Sequence, residues 1–475
     1  MKRALILFLV VTVLLSAGFI AAHAVVNSQK ENVTWQEETL WGDKSAVDGL
    51  HVTAQNDFNH SLLWTTTGIL GPTLAPETEF SFSNGNHTSP FPERYTGVNL
   101  SQIYSLHDIE NFEWAEEKTK AGLTALNDYY QTCVAETPEG EERQYVVDLA
   151  QYLDYYLLDG TIDLPGQTIF NWMGDWTGNQ VARVFNDYFR IPIVGAWRLD
   201  FTVDKNYDNV SSSSGMTADF SPEFHGVAGE NTCYFTFNAY VKEGVSADCS
   251  MIPGGYGIYA IDYTMENGNA MLVFDSLRTV YPLDPAELYL DMTASADGKQ
   301  LLLQTRDADN VYLTVIDIAT MSKLQKLIIA PADEAYYDYR FLDNALVTFR
   351  YRGDTDLSQV IVCERLQNGT YRHAFTTDLN EMGVDIWSLI CFRGTHACQL
   401  LYNGDILVIG FNGCTKEEYE EWYQVETCDF YIAAYNAAGM AYAGLYRVSL
   451  TDVNNSTIYF PCDNFGNYPL QISWE

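Results

Sequence analysis

Residues 288–329 carry a pattern that few folds accommodate: four short β-prone runs separated by three turns, one of the runs apolar on both faces. Residues 288–293 form the first run. The turn after it holds Asp297-Gly298, where glycine supplies positive φ and aspartate bonds its own backbone. Residues 301–306, 311–318 and 323–329 follow, separated by "DADN" and "ATMSK". In the third run Val311, Leu313 and Val315 alternate with Tyr312, Ile316 and Ile318. A strand apolar on both sides needs packed neighbours above and below, so these hairpins belong to a layered β-structure.

The plan then recurs. A second turn, Asp343-Asn344, lies 46 residues after Asp297, flanked by runs at 336–342, 345–351, 358–365 and 370–377. A third copy takes in 397–401, 406–411, 430–435 and 441–448, with an acidic loop inside it. Residues 256–263 and 270–274 match the last two strands of an earlier unit. Residues 197–203 with "DKNYDN" read as another unit, and "GLHVTAQNDFNHSLLWTTTG" reads as a hairpin around Asn56-Asp57. Four-stranded antiparallel units at intervals of roughly 45–60 residues resemble the blades of β-propeller proteins. The "ADGK" turn and Asp317 at the end of a third strand resemble the broad WD/YVTN-like kind, without the Gly-His…Trp-Asp signature of WD40 repeats. The resemblance implies an all-β protein, a propeller of about seven four-stranded blades over residues 47–475. Residues 470–474 are expected to pair with N-terminal strands and hide the sheet edges. Two stacked β-sandwiches are the alternative arrangement. One segment departs from strand alternation: Leu123, Leu126, Tyr130 and Val134 recur at helical spacing, which predicts a helical insertion over 108–136.

At the N-terminus Lys2 and Arg3 precede residues 4–26, whose apolar run is broken only by Thr12, Ser16, Gly18 and His23. At about 1.5 Å per residue such a helix reaches roughly 34 Å, enough to span a bilayer. Basic residues ahead of it place the following chain outside the cytoplasm. Residues 1–26 are therefore expected to be a single-pass membrane anchor. Ala22-His23-Ala24 also fits a signal-peptidase site, and secretion after cleavage near Ala24 is the alternative. Residues 27–46 read as a polar spacer. With "LWGDKSAVDGLHV", this region resembles uncharacterised, membrane-anchored extracytoplasmic proteins of Gram-positive gut anaerobes, a resemblance that implies a location and no particular activity.

Charge narrows the partners. With 26 Lys and Arg against 63 Asp and Glu, the formal net charge is −37. Such a surface repels phosphate backbones, so nucleic acid is not an expected partner. The 14% aromatic content argues against disorder and suits pleated faces. The nine cysteines form no Cys-x-x-Cys and have no His cluster near them, so neither a metal site nor a cofactor is expected. Export permits disulfides. Cys414 with Cys428, flanking "CTKEEYEEWYQVETC", and Cys233 with Cys249 are the candidate pairs, with Cys391 and Cys398 a further one; buried unpaired cysteines are the other reading.

The catalytic motifs checked are missing: there is no Gly-x-Ser-x-Gly, no His-Glu-x-x-His and no phosphate-binding loop, and no catalytic residue is assigned. Asp307/Asp309 and Asp354/Asp356 have loop-cation spacing but read as turn aspartates. The most suggestive stretch is "FNWMGDWTGN". Its Asn171, Trp172, Asp175 and Trp176 are candidate ligand-binding residues: indole rings stack on apolar sugar faces, while amides and carboxylates read hydroxyls. The expected function is a non-catalytic extracytoplasmic binding, sensor or scaffold protein with a glycan or protein ligand. A carbohydrate-active hydrolase with acidic residues in the propeller funnel is the alternative.

Overall fold

The computed structural model describes residues 2–58, 62–72, 76–82, 97–102, 115–165, 167–170, 176–206, 211–241, 245–295, 297–332, 336–352, 356–379, 398–412, 428–450 and 470–474. The chain forms two compact units, Met1–Glu93 with Glu334–Glu475, and Arg94–Asp333. The fold class is all-β. Antiparallel sheets dominate, joined by helices α1 (Lys2–Ser28), α2 (Glu117–Glu136) and α3 (Trp176–Tyr188).

The three repeat units between residues 288 and 450 exist strand for strand. In the Arg94–Asp333 unit, Leu288–Ala294, Gln300–Arg306, Asn310–Asp317 and Ser322–Pro331 form a four-stranded sheet in chain order. Its turns are fixed by aspartates. Asp297 accepts from Ser295 Oγ at 2.7 Å beside Gly298 at φ 66°, and Asp317 accepts from Thr320 N at 2.8 Å. Leu301, Leu303 and Ile316 pack against Tyr234, Ile258 and Ala260 of the neighbouring sheet. Each such buried side chain stabilises the fold by about 1.5–3 kcal/mol relative to exposure.

The remainder of this unit departs from four-stranded blades. One sheet has seven strands, in the order Asn269–Pro282, Gly257–Glu266, Thr232–Phe237, Phe224–Ala228, Gly97–Gln102, Leu158–Leu164 and Gln167–Phe170. Its core is aromatic: Phe189, just after α3, lies 4.7 Å from both Phe224 and Tyr259, and Phe224 lies 4.5 Å from Phe237. A second sheet has three strands, Ser211–Ala218, Trp197–Asp204 and Glu142–Asp148. The helical segment predicted at 108–136 is α2, covering 117–136; residues 103–114 lie outside those described. It buries Leu123, Leu126 and Cys133.

In the other unit, Tyr336–Phe341, Ala345–Arg352, Asp356–Arg365 and Tyr371–Asp378 form the second four-stranded sheet. The third copy is present as Gln399–Tyr402, Leu407–Asn412, Cys428–Asn436 and Gly439–Leu450, and it gains a fifth strand. That strand is Val33–Gly42, antiparallel to Gly439–Leu450 from Val33↔Leu450 to Gly42↔Tyr442. Residues 27–46 are therefore not a spacer. Trp35 sits edge-on to Phe430 at 5.5 Å, Trp41 Nε1 donates to the Met440 carbonyl at 3.2 Å, and Lys44 pairs with Glu37. Only the 3-10 turn Gln29–Asn32 separates α1 from this strand. Within α1, Phe8–Val25 has mean hydropathy 2.2 and no buried residue. By length and composition it is able to cross a membrane, as a signal sequence also would be.

The expected pairing of residues 470–474 with an N-terminal strand is found. Leu470–Trp474 pairs with Leu50–Phe58, from Leu50↔Trp474 to Ala54↔Leu470, beside Leu62–Ile69 and Glu77–Phe82. The hairpin turns later than predicted: Asn56 and Asp57 are strand residues, and pairing runs on to Phe58↔Leu62.

The cysteine expectations need correction where they can be followed. Among the described residues Cys133, Cys233, Cys249, Cys363 and Cys398 are free thiols, so Cys233–Cys249 is not a disulfide here, while Cys391 of the Cys391–Cys398 pair lies outside the described residues. Cys233 sits mid-strand opposite Ile261, buried in the core, whereas the half-buried Cys249 donates from its Sγ to the Ala247 carbonyl. Burial raises the Cys233 thiol to about 12 and that of Cys249 to about 11. The Cys414–Cys428 pairing lies outside the residues whose side chains are described.

Candidate functional site

Of the residues singled out for glycan contact, Asn171, Trp172 and Asp175 lie outside the described residues. Trp176 opens α3. Val181 and Phe185 on α3 and Phe189 just past its end recur at i, i+4 spacing and are all buried. Asp307 acts as a turn lock, accepting from Asp309 N, Asn310 N and the Tyr312 hydroxyl at 2.7–2.8 Å, which holds its carboxyl below the usual range. Glu287 accepts from Thr305 and pairs with Lys326, whose ammonium also lies 4.2 Å from the centre of the Tyr312 ring. These groups are mutually satisfied and rivet their sheet. Among the described residues no group of three or more His, Cys, Asp and Glu side chains converges to hold a metal.

The open feature of the Arg94–Asp333 unit is the three-stranded sheet. Strict alternation divides its central strand: Trp197, Leu199, Phe201 and Val203 are buried, while Arg198 and Asp200 are exposed and Thr202 and Asp204 half-buried. The inner face is roofed by α2. Tyr130 meets the Phe201 ring at 5.4 Å, Tyr145 stacks on it at 5.3 Å, and Thr137 Oγ1 hydrogen-bonds the Tyr145 hydroxyl at 2.8 Å. Register fixes what faces outward. Gln144 stands opposite Thr202, Val146 opposite Asp200, Ser213 opposite Thr202 and Gly215 opposite Asp200.

Across the middle of these strands lies a hollow of about 250 Å³. It is lined by Gln144, Val146, Asp200, Thr202, Ser213 and Gly215, with Tyr145, Phe201 and Ser214 between them. Amide, carboxylate and two hydroxyls thus surround an apolar spot, Val146, which is 58% exposed. Among the described residues Asp200 has a single long polar contact, from Thr217 Oγ1 at 3.5 Å.

Gly215 has no architectural reason to be glycine. Its backbone is ordinary extended chain, its pairing with Asp200 is continuous, and a Cβ there would meet nothing within 4 Å. Glycine inside a strand weakens it, and commonly marks close approach of a ligand or another backbone. Gly97 in the same unit is the contrast: its φ is 71° and a Cβ would stand 2.7 Å from the Val227 carbonyl carbon. The hollow escaped sequence reading because Glu142–Asp148 joins the hairpin of Trp197–Asp204 and Ser211–Ala218 from far upstream in the chain. The signal for it was the serine-rich "SSSSGMTA" with a glycine in strand alternation.

No protein-family model and no curated protein matches the chain. Among solved structures, an oligogalacturonate lyase from Vibrio parahaemolyticus is 8% identical, over 88% of this chain and 98% of its own, with TM-score 0.29. A putative 6-phosphogluconolactonase from Bacteroides fragilis is 11% identical, over 52% and 77%, with TM-score 0.23. The β-propeller domain of Swd1 from Myceliophteria thermophila is 8% identical, over 53% and 93%, with TM-score 0.20. Overlaps this slight carry no inference about activity. The chain is described by its own geometry: blade-like antiparallel sheets and one open polar sheet face.

Proposed function

We propose that this chain is a non-catalytic glycan-binding protein, held at the outer face of the cell membrane by α1, with the hollow on the three-stranded sheet as its ligand site. The N-terminal likeness to anchored proteins of Gram-positive gut anaerobes belongs to the same reading, as does the orientation drawn from Lys2 and Arg3. The observation that supports it most is the lining of the hollow. Gln144, Asp200, Thr202 and Ser213 offer donors and acceptors for sugar hydroxyls, Val146 offers an apolar contact for ring C–H groups, and Gly215 lets a ring lie close to the backbone. A hydrolase reading is weaker at this place, because glycoside hydrolysis takes two carboxyl groups and the lining holds one, Asp200.

The test is a glycan array probed with the full chain in detergent micelles, with Gly215→Trp, Trp172→Ala and Trp176→Ala in parallel. The Gly215→Trp side chain fills open space, so folding is expected to survive while glycan binding is lost. A Gly215→Trp protein that binds like the parent removes the hollow as the site, and loss in the Trp172→Ala and Trp176→Ala variants then moves it to their stretch. A parent chain that binds no glycan defeats the reading.

A further inference from the structure

The outer face of the three-stranded sheet carries an uneven set of charges. By register it presents Glu142, Asp148, Asp200 and Asp204 against one base, Arg198. Two of the carboxylates are engaged at the sheet ends: Asp148 Oδ1 accepts from Ala150 N at 3.1 Å and Asp204 Oδ1 from Asn206 N at 2.7 Å. Asp200 is different. It stands in the middle of the central strand, lines the hollow, and has only the 3.5 Å contact from Thr217. Among the described residues no ion pair joins it to Arg198, the next outward-facing residue of the same strand. No three acidic or imidazole groups converge there, so the face is not built for a multivalent metal ion. One exposed carboxylate in the hollow itself, amid hydroxyls and an amide and in a chain of net charge −37, complements a monovalent ammonium carried on a hydroxylated ring.

We propose that the hollow selects a cationic glycan, a polymer of amino-sugar units with free amines, and that the ammonium group sits against Asp200 while Thr202, Ser213 and Gln144 take the hydroxyls. This rests on the glycan-binding reading and adds the class of sugar. Asp200 is then the residue that sets specificity. A neutral N-acetylated ring fits the same hollow but forfeits the charge-assisted hydrogen bond, a difference of about tenfold to a hundredfold in affinity. Anionic, sulfated or uronic polymers are repelled by the same four carboxylates.

The experiment measures binding of the full chain in micelles to glucosamine oligomers and N-acetylglucosamine oligomers of equal length, below the amine pKa, with trilysine as a non-sugar cation. The expected result is at least about tenfold tighter binding of the free-amine oligomer, a preference that shrinks with added salt. Asp200→Asn keeps the size of the side chain and removes its charge, so it is expected to abolish the preference and bring the two oligomers to equal affinity. Equal affinity for the two oligomers overturns the selectivity and leaves the glycan site standing. So does a preference that survives Asp200→Asn, since another group must then read the amine. Trilysine binding as tightly as the amino-sugar oligomer overturns the sugar class, and failure of both oligomers to bind defeats the underlying reading.

Discussion

Replacing Trp35 with alanine tests whether Val33–Gly42 is part of the folded body. The side chain is half-buried between Phe430 at 5.5 Å and Tyr446 at 6.3 Å, both edge-on, while Phe430 and Tyr446 stack on each other at 5.1 Å. Truncating a fully buried Trp to Ala costs about 3–5 kcal/mol, so a half-buried one costs about 2–3 kcal/mol. The two edge contacts account for about 0.5–1.5 kcal/mol each within that sum. Trp35 Nε1 has no hydrogen-bond partner, so Trp35→Phe removes an unsatisfied donor along with some area and is expected to cost no more than about 1 kcal/mol. For a unit of this size, 1 kcal/mol corresponds to roughly 2–4 °C in Tm. Trp35→Ala should therefore lower the melting transition of the Met1–Glu93/Glu334–Glu475 unit by about 5–10 °C, with Trp35→Phe near the parent. Differential scanning calorimetry of the full chain reads this directly, and the transition of the Arg94–Asp333 unit is the internal control. If neither transition moves in Trp35→Ala, residues 33–42 do not pack and the spacer reading is restored.

Two glycines separate architecture from function. Gly97→Ala should destabilise the Arg94–Asp333 unit by at least about 1 kcal/mol, because φ is positive and the added carbon meets Val227, whereas Gly215→Ala should be neutral or stabilising by about 0.5–1 kcal/mol in urea unfolding; the reverse order would undo the argument about the hollow. The buried thiols predict an alkaline limit. Burial raises Cys363 and Cys398 to about 12, as it does Cys233, from the ordinary 9.0, so the folded state favours the protonated form. Their contribution is complete below pH 9 and declines as pH climbs from there towards 12, which urea midpoints across that range will register. Alkylation of these thiols should be slow in the native chain and fast in denaturant; rapid native labelling at pH 8 would contradict their burial.

The parts legible in the sequence are those whose signals are local. The sheets at 288–331 and 336–378 announce themselves because each strand alternates and each turn carries its own Asp, Asn or Gly, so the predicted and observed bounds differ by about two residues at most. The parts that were not legible depend on distant partners. "VTWQEETLW" is half polar, and it is a strand because Gly439–Leu450 offers an open edge. The seven-stranded sheet recruits Gly97–Gln102 next to Phe224–Ala228, which no local period reveals. The hollow depends on a surface kept polar, and a polar alternating strand looks like a loop when its partners are unknown. Helix α3 was obscured by its opening "WTGN", poor in helix formers, although Val181, Phe185 and Phe189 carried the right period.

The pairing of Val33–Gly42 with Gly439–Leu450, and of Leu50–Phe58 with Leu470–Trp474, has a consequence for how the protein is made. Trp41 and Met440, which bond to each other, are 399 residues apart. At synthesis rates of about 5–20 residues per second the early strands wait roughly 20–80 s for their partners, while Arg94–Asp333 is contiguous and folds as soon as it has emerged. An apolar N-terminal helix and a set of unpaired, Trp-bearing strand edges are thus presented together during that interval. A chain of this design needs its early strands shielded before its two ends are stitched, and slowing its translation late, between residues 333 and 439, should raise aggregation more than slowing it early.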